Sequence, residues 1–229
     1  MYFDSFGITV DNVIFGIEDG ELKILLVKRS AEPCANSWAL PGGFIWKGET
    51  ALDCSKRILA EKINIKNLFL EQLQVFDELG RDPRAQIFSV AYFGLVRKSQ
   101  MGEIAGRDVA EIKWQPAFKL PKQLAFDHHS ILQTAIKTLQ KEVLFRPLVF
   151  QLLDKQFTLA EMQRLYEIIL NKTMDKRNFR KKITAHTFIQ PQENAFSTEI
   201  KQGKPAQLYA FDAKGFKQLE KENLFVVII

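Results

Sequence analysis

Two groups of residues in this 229-residue chain have the types and spacing to do chemistry. The first begins at Gly43, with Glu49 six positions on, Arg57 eight further and Glu61 four beyond that. If Thr50 to about Lys62 is a helix, residues three and four apart share a face, so Ile58, Glu61 and Lys62 sit together. Such a face holds a hard divalent cation when it carries carboxylates. Here it carries one carboxylate, one alkane and one cation. The second group is Lys172, Lys176, Arg177, Arg180, Lys181 and Lys182, opposed only by Asp175. That density of positive charge is the footprint of an acidic partner, most often nucleic acid, although a solvated basic face would look the same.

The charge is segregated. Residues 1–142 hold 18 Lys and Arg against 18 Asp and Glu, whereas residues 143–229 hold 14 against 9 and carry the whole net charge of +5. The length suits two small domains, and the texture changes at the same place. In the first part, Gly7–Ile17 and Glu21–Arg29 read as strands around an Asp19-Gly20 turn. Trp38–Ile45, Leu70–Glu78, Gln86–Val96 and Val109–Trp114 read as further strands. Helices follow from Thr50 and from His128 to near Lys141. This order predicts an α/β (α+β) domain, an α/β/α sandwich on a mixed sheet. In the second part, Leu148–Leu153 is a short apolar connector. Thr158 and Glu161 form a capping box ahead of Leu159, Met162, Leu165, Tyr166 and Ile169 at helical spacing. Asp175 can cap a second helix from Lys176 to about Ala185. Thr187–Gln190 and Gln207–Phe211 can pair as a hairpin. Helix, turn, basic helix and hairpin is the order of a winged helix-turn-helix. The expected domains are therefore 1–142 and 143–229. The apolar end, Leu224–Ile229, is expected to pack as a last strand, unless the chain is cut there. Cys34 and Cys54 have neither metal-ligand spacing nor a disulfide framework. With no signal-peptide pattern and no apolar run near the ~18 residues of a membrane span, a cytoplasmic location is expected.

The first group resembles the Nudix box, G-x5-E-x7-R-E-U-x-E-E-x-G-U with U a bulky apolar residue. Gly43, Glu49, Arg57, Leu59, Glu61 and Ile65 fall in register, after the lead-in Trp38-Ala39-Leu40-Pro41-Gly42-Gly43-Phe44. Three positions depart: Ile58 and Lys62 replace glutamates, and Asn64 replaces the glycine. In Nudix hydrolases these glutamates hold divalent cations that neutralise a pyrophosphate and activate water. Placing Lys62 among them shifts the local energy by about 4 kcal/mol at ~4 Å and an effective dielectric near ~20. Two of three metal-binding glutamates are thus missing, and the resemblance implies neither catalysis nor a resident metal or other cofactor. Glu49 and Arg57 either keep the fold or line a pocket that still holds a phosphorylated ligand.

With the basic winged helix, the whole chain resembles the Nudix-related transcriptional regulators of NAD metabolism and their relatives in sugar catabolism. The carrying segments are Arg57–Lys62, Leu124–His128, Phe157–Leu159, Lys176–Lys182 and Gly203–Ala206. The resemblance implies a homodimer on a palindromic operator, repressing until a small effector, ADP-ribose or a sugar metabolite, fills the Nudix domain. Candidate effector residues are Glu49, Arg57, Arg81, Asp82 and Arg84; the last three also fit a solvated hairpin loop. Phe76 reads as core or as a stacking platform, and Asp127 as the cap of its helix. Candidate DNA contacts are Lys172, Lys176, Arg177, Arg180, Lys181, Thr184 and Lys204. With Phe179 and Ile183 turned inward, Arg177 and Lys181 face out, and arginine suits guanine edges while lysine suits phosphate. The competing readings are an active Nudix hydrolase and a winged helix that binds protein rather than DNA.

Overall fold

The computed structural model describes residues 6–65, 68–97, 111–197, 205–221 and 229. The chain divides into two compact units, Met1–Thr138 and Leu139–Ile229. No helix among the described residues is long and apolar enough to cross a membrane.

In the first unit, β1 (Gly7–Glu18) and β2 (Glu21–Lys28) form a hairpin. Its turn, Asp19-Gly20, has φ of 52° and 74°, the left-handed pair that matches strand twist. β3 (Trp38–Ala39), β4 (Gly42–Phe44), β5 (Phe69–Phe76), β6 (Ile87–Leu95) and β7 (Glu111–Pro116) complete one mixed sheet. β1 runs parallel to β6 and antiparallel to β2 and β4, while β7 pairs with β2. β1 is buried from Thr9 to Gly16, so both of its faces are covered. Its even positions meet helix α1 (Ala51–Ile63): Val10 packs with Cys54 and Ile58, and the Ser55 hydroxyl donates to Asn12. Its odd positions include Asp11, which meets His128 at the start of α2 (His128–Glu142). The expected sandwich on a mixed sheet is thereby built. Val109 and Ala110 of the sixth predicted strand lie outside the described residues. Helix α1 is capped by Thr50, whose hydroxyl accepts from the Asp53 amide at 3.2 Å. It ends at Asn64 with φ 49°, a left-handed closure that asparagine can supply where the box has glycine.

In the second unit, a single 3-10 turn, Leu148–Gln151, replaces the expected connector. Helix α3 (Leu159–Leu170) carries the complete Thr158/Glu161 capping box and closes on Asn171 in the left-handed region. Helix α4 (Lys176–Ile183) is capped by Asp175, which accepts from the Asn178 amide at 2.7 Å. Phe179 is buried against Tyr166, ring centroids 5.8 Å apart, and Ile183 is buried with it. The hairpin of β8 (Ile189–Phe196) and β9 (Gln207–Phe211) has a longer first strand than its sequence suggests, and Phe157 bridges to Tyr209. A further helix, α5 (Ala213–Lys221), was not expected; Asp212 starts it by accepting from the Lys214 and Gly215 amides. Phe150, Phe188, Phe211 and Phe216 cluster beneath this hairpin, with Phe150 and Phe211 stacked at 4.1 Å. Residues 222–228, which hold most of the apolar end, lie outside the described residues.

Candidate functional site

A cavity of about 280 Å³ opens in the first unit where β1, the end of β2, β4 and the start of α2 meet. Asp11 forms its base. The side chain is buried inside an apolar strand and therefore needs partners. Ser89 donates to its Oδ2 at 2.6 Å, and His128 Nε2 lies 3.3 Å from Oδ1. His128 Nδ1 accepts the Leu40 amide at 2.9 Å, so Nε2 carries the proton directed at Asp11. Arg81 closes the network: it grips Asp127 through Nε at 2.9 Å and Nη2 at 2.6 Å, with Asp11 Oδ2 3.5 Å away. Burial pushes the Asp11 carboxyl up, but His128, Ser89 and Arg81 outweigh it and hold its pKa at about 2. Gly42 has to be glycine. A Cβ there would run into Asp11 Oδ1 and approach the Val10 carbonyl at 2.8 Å.

Positive charge dominates the remaining wall. Lys28, Arg29, Lys62, Arg81 and Arg84 line the cavity with Asp82. Arg84 is held by Asp82 in a two-point pair at 2.9 and 2.6 Å, beside the rings of Phe44 and Phe126. Burial raises the Asp82 carboxyl, yet the Arg84 bonds prevail and lower it. Asp82 thus orients an arginine. Arg29 is fixed by the Pro33 carbonyl at 2.9 Å and its guanidinium lies 4.8 Å from the Phe126 ring centre.

Of the residues expected at the effector site, Arg81, Asp82 and Arg84 come together in this cavity. Glu49 and Arg57 do not line it. Arg57 binds both Glu49 oxygens, at 2.7 and 2.9 Å, donates to the Phe44 carbonyl at 3.1 Å and stacks on Trp46 at 3.5 Å. Glu49 also accepts the Trp46 amide at 3.0 Å. The Arg57 bonds hold the Glu49 carboxyl at about 2. These two residues brace the loop between β4 and α1. Asp127, at the start of α2, has its carboxylate held by Arg81. Phe76 is part of the core. The sequence reading missed Asp11 and Ser89 as site residues. A charged residue inside the apolar run Ile8–Phe15 was the available signal, since a buried carboxylate demands partners.

A Nudix metal centre does not fit the box helix. Ile58 is fully buried, Glu61 is turned to Arg57 at 3.4 Å, and the Lys62 ammonium donates to the Gly42 carbonyl at 2.7 Å. No three His, Cys, Asp or Glu side chains among the described residues converge to hold a metal ion.

On the second unit, Lys172, Lys176, Arg177, Arg180, Lys181 and Thr184 are all exposed, while Phe179 and Ile183 anchor the opposite side of α4. The Thr184 hydroxyl donates to the Arg180 carbonyl at 2.8 Å. Lys204 lies outside the described residues.

The sheet, box helix and braced loop, followed by a capped helix pair and hairpin, make a Nudix domain joined to a winged helix. A family model for the NUDIX domain matches residues 7–135, and one for the NrtR DNA-binding winged helix domain matches residues 149–211. The chain is 37% identical over 207 residues to the ADPR responsive transcriptional repressor NtrR of Acinetobacter baylyi, spanning 89% of this chain and 81% of that protein. Among solved structures, it resembles Shewanella oneidensis NrtR complexed with a 27mer DNA, with TM-score 0.76, 31% identity and coverage of 92% and 95%. It also resembles the NUDIX domain of Shewanella oneidensis NrtR complexed with ADP ribose, with TM-score 0.54, 36% identity and coverage of 60% and 90%. The chain belongs to the NrtR family of Nudix proteins with a DNA-binding winged helix.

Proposed function

We propose that this protein is a transcriptional repressor that ADP-ribose releases from DNA, and that it binds ADP-ribose without hydrolysing it. The observation that carries this is the cation-lined cavity above a box helix with no converging carboxylates, on the same chain as an exposed basic helix. A diphosphate needs neutralisation and several donors. Arg81 and Arg84 are oriented by their two-point pairs with Asp127 and Asp82, and with Arg29 and Lys62 they supply the positive charge that lines the cavity. Glu49 and Arg57 act indirectly by bracing the loop.

DNA engages α4. Its length and solvent-facing basic residues suit the major groove. Arg177 and Arg180 read base edges, with Lys176, Lys181, Thr184, Lys172 and Lys204 on the backbone. The chain works as a homodimer, so its operator is palindromic with half-sites about one helical turn apart or a multiple of it. Relatives that bind DNA and ADP-ribose support this reading over a sugar effector. The test is paired. Calorimetry should detect ADP-ribose binding, and anion-exchange chromatography should recover the ligand intact after incubation with Mg²⁺ or Mn²⁺. Sustained release of AMP and ribose phosphate, abolished by Glu61→Gln, would favour the hydrolase instead.

A further inference from the structure

We infer that Lys62 takes the place of a divalent cation in this domain, so that the diphosphate of the effector is bound by side-chain charge and without metal. The inference rests on the effector reading above and goes beyond it to the means of binding. Three positions of the box helix face would carry metal ligands in a hydrolase, and each has a different fate here. Ile58 is fully buried, with its Cδ1 3.3 Å from where a Cβ on Gly43 would stand, so it packs under β4. A carboxylate introduced there would be buried under backbone. Glu61 has a side chain 51% exposed and bends to Arg57. Only Lys62 lines the cavity, and the Gly42 carbonyl fixes its Nζ at 2.7 Å.

That bond determines what the lysine can do. Gly42 pairs with Asp11 across β4 and β1, at the base of the cavity. The ammonium is therefore tied to β4, a strand that lines the site. A cation held there neutralises phosphate oxygens, as a metal would. It differs from a metal in one respect. Mg²⁺ also binds a water and promotes its ionisation, which an ammonium does not do. Lys62 thus preserves affinity and removes the nucleophile in one substitution. It also repels a divalent ion approaching the same place, so added Mg²⁺ should bring no gain.

Calorimetry of ADP-ribose against the full chain, in EDTA and in Mg²⁺, tests this. The wild type should bind equally in both buffers, within about twofold. Lys62→Gln should weaken binding about tenfold or more in both, as expected for losing a phosphate-facing charge. Lys62→Arg should keep most of the affinity, and Lys62→Glu should lose it in EDTA and regain part of it in Mg²⁺. Thermal melts of the variants report folding, and the wild-type comparison needs no variant. Wild-type binding that requires Mg²⁺ overturns the inference. So does unchanged affinity in a folded Lys62→Gln. If wild type binds ADP-ribose in neither buffer, the effector reading itself fails and the inference goes with it.

Discussion

Asp127→Ala should destabilise the first unit by about 3 kcal/mol. Asp127 receives two hydrogen bonds from Arg81, at 2.9 and 2.6 Å, and the Arg81 side chain is only 4% exposed. Removing one partner of a buried ion pair costs about 3–5 kcal/mol, because the remaining charge stays desolvated. Asp11 remains 3.5 Å from the guanidinium and retains part of the compensation, which places the loss at the low end. For a unit of this size that lowers the melting midpoint by about 10 °C. Trp38, Trp46 and Trp114, the three tryptophans of the chain, all lie in the first unit, so their fluorescence during urea unfolding reports that unit alone. Asp127→Asn keeps an acceptor and drops the charge, and should fall between wild type and Asp127→Ala. Adding Arg81→Met to Asp127→Ala should recover part of the loss, since the stranded cation goes as well. A loss below about 1 kcal/mol, typical of a solvated pair, would refute the claim that a desolvated Arg81–Asp127 pair joins the 81–84 loop to the start of α2.

Other consequences follow from the same structure. Arg177→Ala or Arg180→Ala should cost about 1–3 kcal/mol on the operator and relax base preference, whereas Lys172→Ala should weaken all DNA alike and flatten the salt dependence in an anisotropy titration. None of the three should change ADP-ribose affinity. The Asp11 carboxyl is held at about 2, below its usual 3.8, so the stabilisation of about 2 kcal/mol is complete above about pH 4 and disappears as pH falls through about 2. Acid unfolding followed by tryptophan fluorescence should show that limb, and a folded Asp11→Asn should flatten it. Gly42→Ala should lower both stability and ADP-ribose affinity, because its Cβ meets Asp11 and the Val10 carbonyl at 2.8 Å; a wild-type melting curve and binding isotherm would show that the strands simply shift apart.

What the sequence revealed was local. The Asp19-Gly20 turn, the Thr158/Glu161 box and the Asp175 cap each need only a few neighbouring residues, and all three formed. The box spacing set the register of α1, and Ile58 and Lys62 stand where the pattern has glutamates. The cavity was less legible because its contacts are distant: Arg81 and Asp11 are 70 residues apart, and His128 and Leu40 are 88. Spacing showed that Glu49 and Arg57 belonged together with the box but not that each would consume the other's charge. Helix α5 escaped because it begins on an Asx turn at Asp212 without a second capping residue. Strand β8 escaped beyond Gln190 because Pro191 and the polar run after it have no apolar alternation, and β9 supplies the pairing instead.

Filling the Nudix cavity should release the winged helix from DNA. The most direct test is an anisotropy titration of the full chain onto labelled DNA from upstream of its own gene and its neighbours, at fixed salt, with and without ADP-ribose. At least one fragment should bind specifically, and saturating ADP-ribose should weaken that binding by roughly 5–150-fold, with the DNA weakening ADP-ribose by the same factor. Specific DNA binding that saturating ADP-ribose leaves unchanged, in a protein that calorimetry shows to be loaded, would contradict it.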